Sequence, residues 1–171
     1  MKTTSLMSLL ALLGITSAAI ADPLAVGAEA PKISAIDQDG KTVNLSDIYA
    51  KGPTLVYFYP KADTPGCTKQ GCSLRDSWGD LQGKGIQVIG VSEDKVDAQK
   101  KFHEKYNFPF TLIADNDGKV AKAFGVPTTL GFAKRQSFLI KNGKVAWNML
   151  KASTETHAKD VLDAFDGLDK D

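Results

Sequence analysis

The stretch "PTLVYFYPKADTPGCTKQGC", from Pro53 to Cys72, joins an unbroken apolar run to a Thr-Pro-Gly turn and contains both cysteines of the 171-residue chain. Residues 54–59 are continuously apolar and aromatic, which is typical of a central strand covered on both faces. After the turn the pattern becomes helical, and we expect one helix over residues 67–81. A strand followed at once by a helix is where α/β folds expose functional groups, so Cys67 is a candidate for chemistry.

Strand and helix patterns alternate through the rest of the chain. We expect a hairpin around Asp39-Gly40, strands over residues 86–92 and 110–115, helices over 95–107, 119–124 and 154–168, and a hairpin across Asn142-Gly143. In the last helix, Val161, Phe165 and Leu168 fall on one face, as in a surface helix. This order predicts an α/β, thioredoxin-like fold, with a mixed central β-sheet flanked by helices and an N-terminal hairpin.

The N-terminus "MKTTSLMSLLALLGITSAAIA", residues 1–21, has one Lys, an apolar run and a small-residue ending. This pattern predicts an export signal that is cleaved before Asp22. The alternative is a membrane anchor, but the apolar run over residues 6–15 is shorter than the roughly 20 residues that a bilayer span needs. We therefore expect one domain over residues 22–171, periplasmic or otherwise exported.

The charge of the mature chain argues against some partners. Residues 22–171 contain 20 Lys or Arg and 20 Asp or Glu, because the signal holds one Lys and no acid. A net charge of zero without a basic run predicts no nucleic-acid partner, and we expect no membrane partner either. Export to an oxidising compartment permits a disulfide between Cys67 and Cys72.

The turn before Cys67 favours a reactive thiol. Thr64 is a favoured N-cap residue and Pro65 suits the first helical position, so Cys67 falls in the first turn of the helix. Unpaired N–H groups and the helix dipole favour an anion there, and the thiolate is the reactive form of cysteine. We expect the Thr64 hydroxyl both to cap the helix and to face the site. The alternative is that Cys67 is only a small buried hydrophobe.

The spacing of the two cysteines favours a redox switch over a structural bridge. They lie five positions apart, which on an ideal helix separates their α-carbons by about 8.6 Å. A disulfide needs α-carbons within about 7 Å, so a bridge requires local unwinding. Gly66 and Gly71 lower the cost of that unwinding.

The same spacing argues against two other kinds of site. Thioredoxin-type exchangers use Cys-x-x-Cys, whereas four residues separate Cys67 and Cys72. A zinc site is not expected, because neither His103 nor His157 lies at ligand spacing to the two cysteines. We expect both histidines to be solvated and neither to act as a base.

The segment "YFYPKADTPGCTKQGCSLRD" resembles the active-site segment of the peroxiredoxins, in particular the bacterioferritin-comigratory or Q-type class. That class has the motif Pro-x-x-x-Thr-x-x-Cys with a second Cys five positions later. The motif positions are filled one for one by Pro60, Thr64, Cys67 and Cys72. A weaker resemblance extends through "VIGVSED", "KFHEKYNFPFTLIAD" and "RQSFLI", and so covers nearly the whole mature chain.

The resemblance also assigns residues outside the motif. Arg135, in "KRQSFLI", takes the place of the arginine that the family carries just before a late strand. Gln70 matches a position that the family often fills with Glu or Gln, whereas Gly71 departs from the more usual Ala. The stretch "GVPTTLGFAK", within which residues 126–134 lie, is shorter than the family's common loop.

The resemblance implies a thiol-dependent peroxidase that needs no metal, haem or flavin. Cys67 would be oxidised to a sulfenic acid by hydrogen peroxide or an organic hydroperoxide, and Cys72 would resolve it as an intramolecular disulfide. Arg135, Thr64 and first-turn N–H groups would stabilise the charges, and Pro60 would shield the sulfur from water. A thioredoxin-like dithiol would reduce the disulfide, and a bridge within one chain suits a monomer.

Two other functions stay open at the level of the sequence. One is a thiol-disulfide oxidoreductase that acts on protein substrates. The other is a non-enzymatic binding domain with a structural disulfide, since the thioredoxin-like scaffold hosts several activities.

Overall fold

The computed structural model describes residues 22–168 and residue 170, so the predicted export signal lies outside the described residues. The strands in this part of the chain are β1 (Ser34–Ile36), β2 (Thr42–Asn44), β3 (Thr54–Phe58), β4 (Gln87–Ser92), β5 (Thr111–Ala114), β6 (Thr128–Thr129), β7 (Phe132–Ala133), β8 (Ser137–Lys141) and β9 (Lys144–Met149). The helices are α1 (Leu45–Tyr49), α2 (Pro65–Asp76), α3 (Trp78–Gly83), α4 (Val96–Tyr106), α5 (Lys119–Ala123) and α6 (His157–Leu168).

The central sheet has five strands in the order β5-β4-β3-β8-β9. β3, β4 and β5 are parallel, whereas β8 is antiparallel to both β3 and β9. The β8–β9 turn has positive φ at Asn142 (53°) and Gly143 (75°), as a two-residue type I′ hairpin requires. With the separate β1–β2 hairpin, this topology confirms the predicted thioredoxin-like fold with a mixed sheet.

The central strand β3 is buried along its whole length because both faces of the sheet are covered. Val56 and Phe58 enter one core, which also holds apolar residues of β4, β5, β8 and α5. Leu55 and Tyr57 enter the other core with apolar residues of α2, α4 and α6. This two-sided burial explains the continuous apolar run that the sequence shows. It also places the end of β3, and the start of α2 after it, at one edge of both cores.

Two predicted helices differ from the observed ones. The helix predicted over residues 67–81 is divided at Ser77 into α2 and α3, because the backbone of Ser77 (φ −96°, ψ 13°) departs from helical geometry. The helix predicted from residue 154 begins at His157. There the Ser153 hydroxyl accepts the N–H groups of Glu155 and Thr156, which closes a turn ahead of α6. No helix within residues 22–168 is long and apolar enough to cross a membrane.

The short stretch over residues 125–134 forms the β6–β7 hairpin. Its tip has positive φ at Leu130 (52°) and Gly131 (78°), and the Leu130 side chain is 92% exposed. The Lys61 Nζ lies 5.5 Å from the centroid of the Phe132 ring. This cation–π contact holds the hairpin beside the turn that precedes α2.

Gly71 marks a close approach of α2 to a cluster of aromatic rings. A Cβ atom at Gly71 would lie 2.7 Å from Cζ of Phe108. The Phe108 ring stacks on Phe110, with centroids 5.2 Å apart, and meets the Phe102 ring edge-on at 4.9 Å. Because Phe108 is confined on both sides, it cannot yield to a larger side chain without disturbing this cluster.

We expect Gly71→Ala to lower the free energy of unfolding by about 1–3 kcal/mol through overpacking against Phe108. The matched control is Gly79→Ala in α3, where a Cβ atom would meet nothing within 4 Å. That change should raise the free energy of unfolding by roughly 0.5–1 kcal/mol, because alanine favours the helix. Urea unfolding of both variants measures the difference, and an equal stabilisation of the two would contradict this packing.

Candidate active site

The turn between β3 and α2 is tied to neighbouring elements at two points. Asp63 has a left-handed backbone, with φ of 57°, and its carboxylate accepts hydrogen bonds from Lys105 (2.8 Å) and the Tyr106 hydroxyl (2.9 Å). The Ala62 N–H donates to Oδ2 of Asp94 at 2.7 Å. Since Asp63 and Ala62 are both anchored, the position at which α2 begins is fixed.

Thr64 occupies the N-cap position of α2 with an extended backbone (φ −92°, ψ 155°), and Pro65 is the first helical residue, as predicted. The Thr64 side chain makes no hydrogen bond that caps α2, so the prediction that its hydroxyl caps the helix is wrong. The Thr64 hydroxyl instead donates to the carbonyl of Lys61 at 2.9 Å and closes the turn. Pro60, half-buried, precedes this turn.

Cys67 lies in the first turn of α2 with its side chain buried. The N–H groups of this turn have no acceptor within the helix, so they present positive partial charge near the sulfur. Nη2 of Arg135 donates to Sγ of Cys67 at 3.3 Å. The half-buried Arg135 precedes β8, the strand next to β3, so two neighbouring strands bring sulfur and guanidinium together. A guanidinium at this distance can stabilise negative charge that develops on the sulfur.

Cys72 is placed differently. It is half-buried in α2, and both cysteines are free thiols. Burial raises the pKa of Cys72; Arg75 lowers it and Asp76 raises it to smaller extents. The two sulfurs therefore stand in unlike surroundings, one against a guanidinium and one favoured as the neutral thiol. Because α2 is helical from Pro65 to Asp76, the α-carbons of the pair are separated by about 8.6 Å, beyond the reach of a disulfide.

Behind the Arg135 guanidinium lies a hydrogen-bonded chain of buried polar side chains. Nη1 of Arg135 donates to Oε1 of Gln70. The Gln70 amide nitrogen lies 3.2 Å from Nδ1 of His157, and Nε2 of His157 lies 2.8 Å from Oγ of Ser137. Gln70, Ser137 and His157 are all completely buried. This hydrogen-bonded chain connects α2 to β8 and to the start of α6.

The buried position of His157 contradicts the expectation that it is solvated. His157 lies four residues before Val161 and eight before Phe165, so helical spacing puts it on the apolar face of α6. That spacing was visible in the sequence, whereas the contact with Gln70 depends on tertiary packing. His103 is half-exposed in α4. Ser137 had no distinguishing feature in the sequence beyond its place in a strand.

Burial, and to a smaller extent the nearby positive charge of Arg135, together lower the pKa of His157 to about 4. The imidazole is therefore neutral at neutral pH. A neutral ring has one donor and one acceptor nitrogen, which is what the two neighbours of His157 require.

The side of Arg135 away from the core borders an open depression of about 480 Å³. Its other lining residues are Lys134, Leu150, Lys151 and Ala152. Leu150 is half-exposed, so the depression combines apolar and cationic surface. Within the described residues, no group of three or more His, Cys, Asp or Glu side chains is arranged to hold a metal ion.

Known proteins resemble this chain in sequence and in fold. Residues 26–148 match the model of the AhpC/TSA family. The chain is 43% identical over 149 residues to peroxiredoxin Bcp of Escherichia coli K12, which covers 82% of this chain and 95% of that protein. It is 44% identical over 124 residues to chloroplastic peroxiredoxin Q of Oryza sativa subsp. japonica. That match covers 71% of this chain but 57% of the rice protein, so the chain spans little more than half of the plant relative.

A solved structure agrees with these sequence matches. The crystal structure of peroxidoxin BcpB from Mycobacterium tuberculosis superposes with a TM-score of 0.79 at 34% identity. The superposition covers 83% of this chain and 96% of the mycobacterial one.

The neutral, buried state of His157 should make the protein less stable in acid. The unfolded histidine binds a proton near its ordinary pKa of 6.5, whereas the folded one does so at about 4. Between these values the unfolded state carries more protons, so the contribution of His157 to the free energy of unfolding should fall by about 1.4 kcal/mol per pH unit as the pH decreases.

Asp115 opposes this effect, because burial raises its pKa to about 6 and the folded state holds the extra proton below that value. Urea unfolding of the parent chain and of His157→Phe, from about pH 7 to about pH 4.5, separates the two. The free energy of unfolding of the parent should fall relative to that of His157→Phe as the pH decreases. A constant difference between them would show that His157 is not kept neutral by the fold.

Proposed function

The chain belongs to the AhpC/TSA family, within it to the peroxiredoxin Q and Bcp type, and we propose that it is a thiol-dependent peroxidase for hydrogen peroxide and organic hydroperoxides. The observation that carries the proposal is the placement of Cys67 Sγ at the start of α2, 3.3 Å from Nη2 of Arg135. A helix start and a guanidinium both favour the thiolate, which is the nucleophile that an O–O bond requires.

In the first step the Cys67 thiolate attacks the oxygen that carries the hydroperoxide proton. The S–O bond forms as the O–O bond breaks, and the electron pair leaves with the departing oxygen. The sulfur is oxidised to a sulfenic acid, and the departing alkoxide or hydroxide takes a proton to become an alcohol or water. Arg135 and the first-turn N–H groups stabilise the negative charge that moves from sulfur to the leaving oxygen.

In the second step the Cys72 sulfur attacks the sulfenic sulfur of Cys67. The S–S bond forms, and the sulfenic oxygen leaves as water with the proton of Cys72. Because helix geometry keeps the two α-carbons apart by about 8.6 Å, α2 must first unwind between them. Two further electrons and two protons from a thioredoxin-like dithiol restore both thiols by exchange.

We also propose that the protein works as an exported monomer. Export is supported by the apolar run and small-residue ending of residues 1–21. A monomer is supported by the presence of both reacting cysteines on one helix of one chain.

Stoichiometric hydrogen peroxide should rapidly remove both thiols of the reduced protein and give a disulfide that runs as a monomer on a non-reducing gel. Cys67→Ser should abolish peroxide consumption. Cys72→Ser should consume one equivalent and leave a sulfenic acid at Cys67 that dimedone traps, because its partner thiol is missing. Stopped-flow fluorescence, thiol titration and mass spectrometry follow these steps.

The outcomes separate the proposal from its rivals. A thiol-disulfide oxidoreductase would reduce protein disulfides but react with peroxide no faster than a free thiol. An inert bridge would resist reduction and show no turnover. If Cys72→Ser protein gave no peroxide-dependent dimedone adduct, the division of roles between the two cysteines would be wrong.

Export is tested separately. The full chain expressed in a Gram-negative host should appear in the periplasmic fraction with Asp22 as its first residue, as intact-mass measurement would show. Ala21→Arg should block cleavage, because the processing site requires a small residue at that position. Retention of the uncleaved parent chain in the cytoplasm would refute export and leave the peroxidase proposal unaffected.

A further inference from the structure

We propose that His157 is a positioning residue for the peroxidase reaction: through Gln70 it holds the Arg135 guanidinium against the Cys67 sulfur. This inference rests on the proposed function, and it concerns a histidine that touches neither sulfur nor substrate. It follows from the direction in which each hydrogen bond of the buried chain must run.

The direction is set at Arg135. A guanidinium has donors and no acceptor, so the Gln70 atom that meets it must be the amide oxygen. The Gln70 NH₂ group then faces His157 and donates to Nδ1, 3.2 Å away. Nδ1 must therefore be unprotonated, and in the neutral ring the proton lies on Nε2.

The contact between His157 and Ser137 is consistent with a proton on Nε2. Nε2–H of His157 donates to Oγ of Ser137 at 2.8 Å. Ser137 lies in β8, opposite Tyr57 of β3, and the Tyr57 ring packs edge-on against the imidazole with centroids 5.6 Å apart. The His157 ring is thus held at one nitrogen and on one side by the central sheet. Neither of these two contacts involves Gln70 or Arg135.

The Gln70 amide needs this support because a glutamine amide has two orientations of similar shape. Rotation by half a turn would point NH₂ at the guanidinium, where donor would face donor, and would leave Nδ1 of His157 facing the amide oxygen. The Nδ1 acceptor makes one orientation favourable and the other unfavourable. Since all three side chains behind Arg135 are completely buried, water cannot replace the lost bonds.

Two substitutions at position 157 separate positioning from packing. His157→Phe keeps a ring beside Tyr57 but removes the acceptor for Gln70. His157→Asn carries an oxygen with the same covalent connection as Nδ1 and can accept that bond. We expect His157→Phe to slow the reaction of Cys67 with hydrogen peroxide by about tenfold, as the loss of alignment of one charged hydrogen bond predicts. His157→Asn should recover most of this loss.

A second readout does not depend on peroxide. The rate at which iodoacetamide alkylates Cys67, measured against pH in a Cys72→Ser background, reports the fraction of thiolate. His157→Phe should move this profile to higher pH in the same direction as Arg135→Met, and His157→Asn should move it less. Gln70→Met should shift the alkylation profile as His157→Phe does. The double variant, Gln70→Met with His157→Phe, should react no more slowly than either single variant, because both substitutions break the same series of hydrogen bonds.

Controls address folding. Val161→Ala removes apolar volume one turn further along the same face of α6 and should destabilise the protein without changing either rate. Ser137→Ala leaves the imidazole in place and should slow both rates by about threefold, because only the neutral Nε2–H bond is lost. This variant decides the question if His157→Phe does not fold.

The inference is overturned if His157→Phe reacts like the parent chain, if His157→Asn is as slow as His157→Phe, or if Val161→Ala is equally slow. A parent chain that shows no rapid peroxide reaction, but whose alkylation profile shifts in the variants as described, would refute the proposed function and keep the role of His157. Normal peroxide turnover by the parent protein, with reaction rates and alkylation profiles that do not change in the variants, would support the proposed function and refute the role of His157.

Discussion

The contact between the Arg135 guanidinium and the Cys67 sulfur determines how the rest of the site is arranged. A buried thiolate is costly unless a charge and hydrogen-bond donors face it, and both come from elements that the central sheet positions. β3 leads through an anchored turn into α2, which carries Cys67, and β8 runs beside β3 with Arg135 just ahead of it. The guanidinium must in turn be satisfied on its other side, which brings Gln70, His157 and Ser137 into the same chain of hydrogen bonds.

α2 meets two demands that conflict. It holds Cys67 in its first turn, yet in the proposed reaction it must unwind before Cys72 can reach the oxidised sulfur. The burial of Leu74 and the close fit of α2 against Phe108 stabilise the intact helix. The exposed ion pair between Lys69 and Glu155 adds little to this stability. Gln70 lies between the two cysteines, so unwinding there also displaces the residue that aligns Arg135. In the proposed reaction cycle the alignment therefore belongs to the reduced state, in which Cys67 would attack peroxide, and it would be lost once the sulfur has reacted.

The sequence predicted most of what local pattern and motif spacing determine. The buried strand over residues 54–59, the helix start at Pro65 and the hairpin at Asn142-Gly143 follow from apolar runs, proline and turn residues, and the structure has all three. Arg135 came from resemblance, since nothing local distinguishes one arginine before a strand from another. The hydrogen bond of Thr64 to Lys61 was missed, because a hydroxyl has several backbone partners of similar energy. The break at Ser77 was missed as well. His157 was on the apolar face by spacing, but only tertiary packing shows what it faces.

The pairing of Gln70 with a neutral His157 has a consequence for the charge at the sulfur. A carboxylate at position 70 would form an ion pair with Arg135 and offset part of the positive charge that Cys67 experiences. It would also present only acceptors to His157, which would then have to carry a proton on Nδ1. An amide leaves the guanidinium charge undivided, but its NH₂ group requires an acceptor behind it, and neutral imidazole supplies one. Glutamine at position 70 and an unprotonated Nδ1 at position 157 thus require each other. Together with Ser137 they form a completely buried set of neutral side chains that contacts Arg135 without adding a second charge to the site.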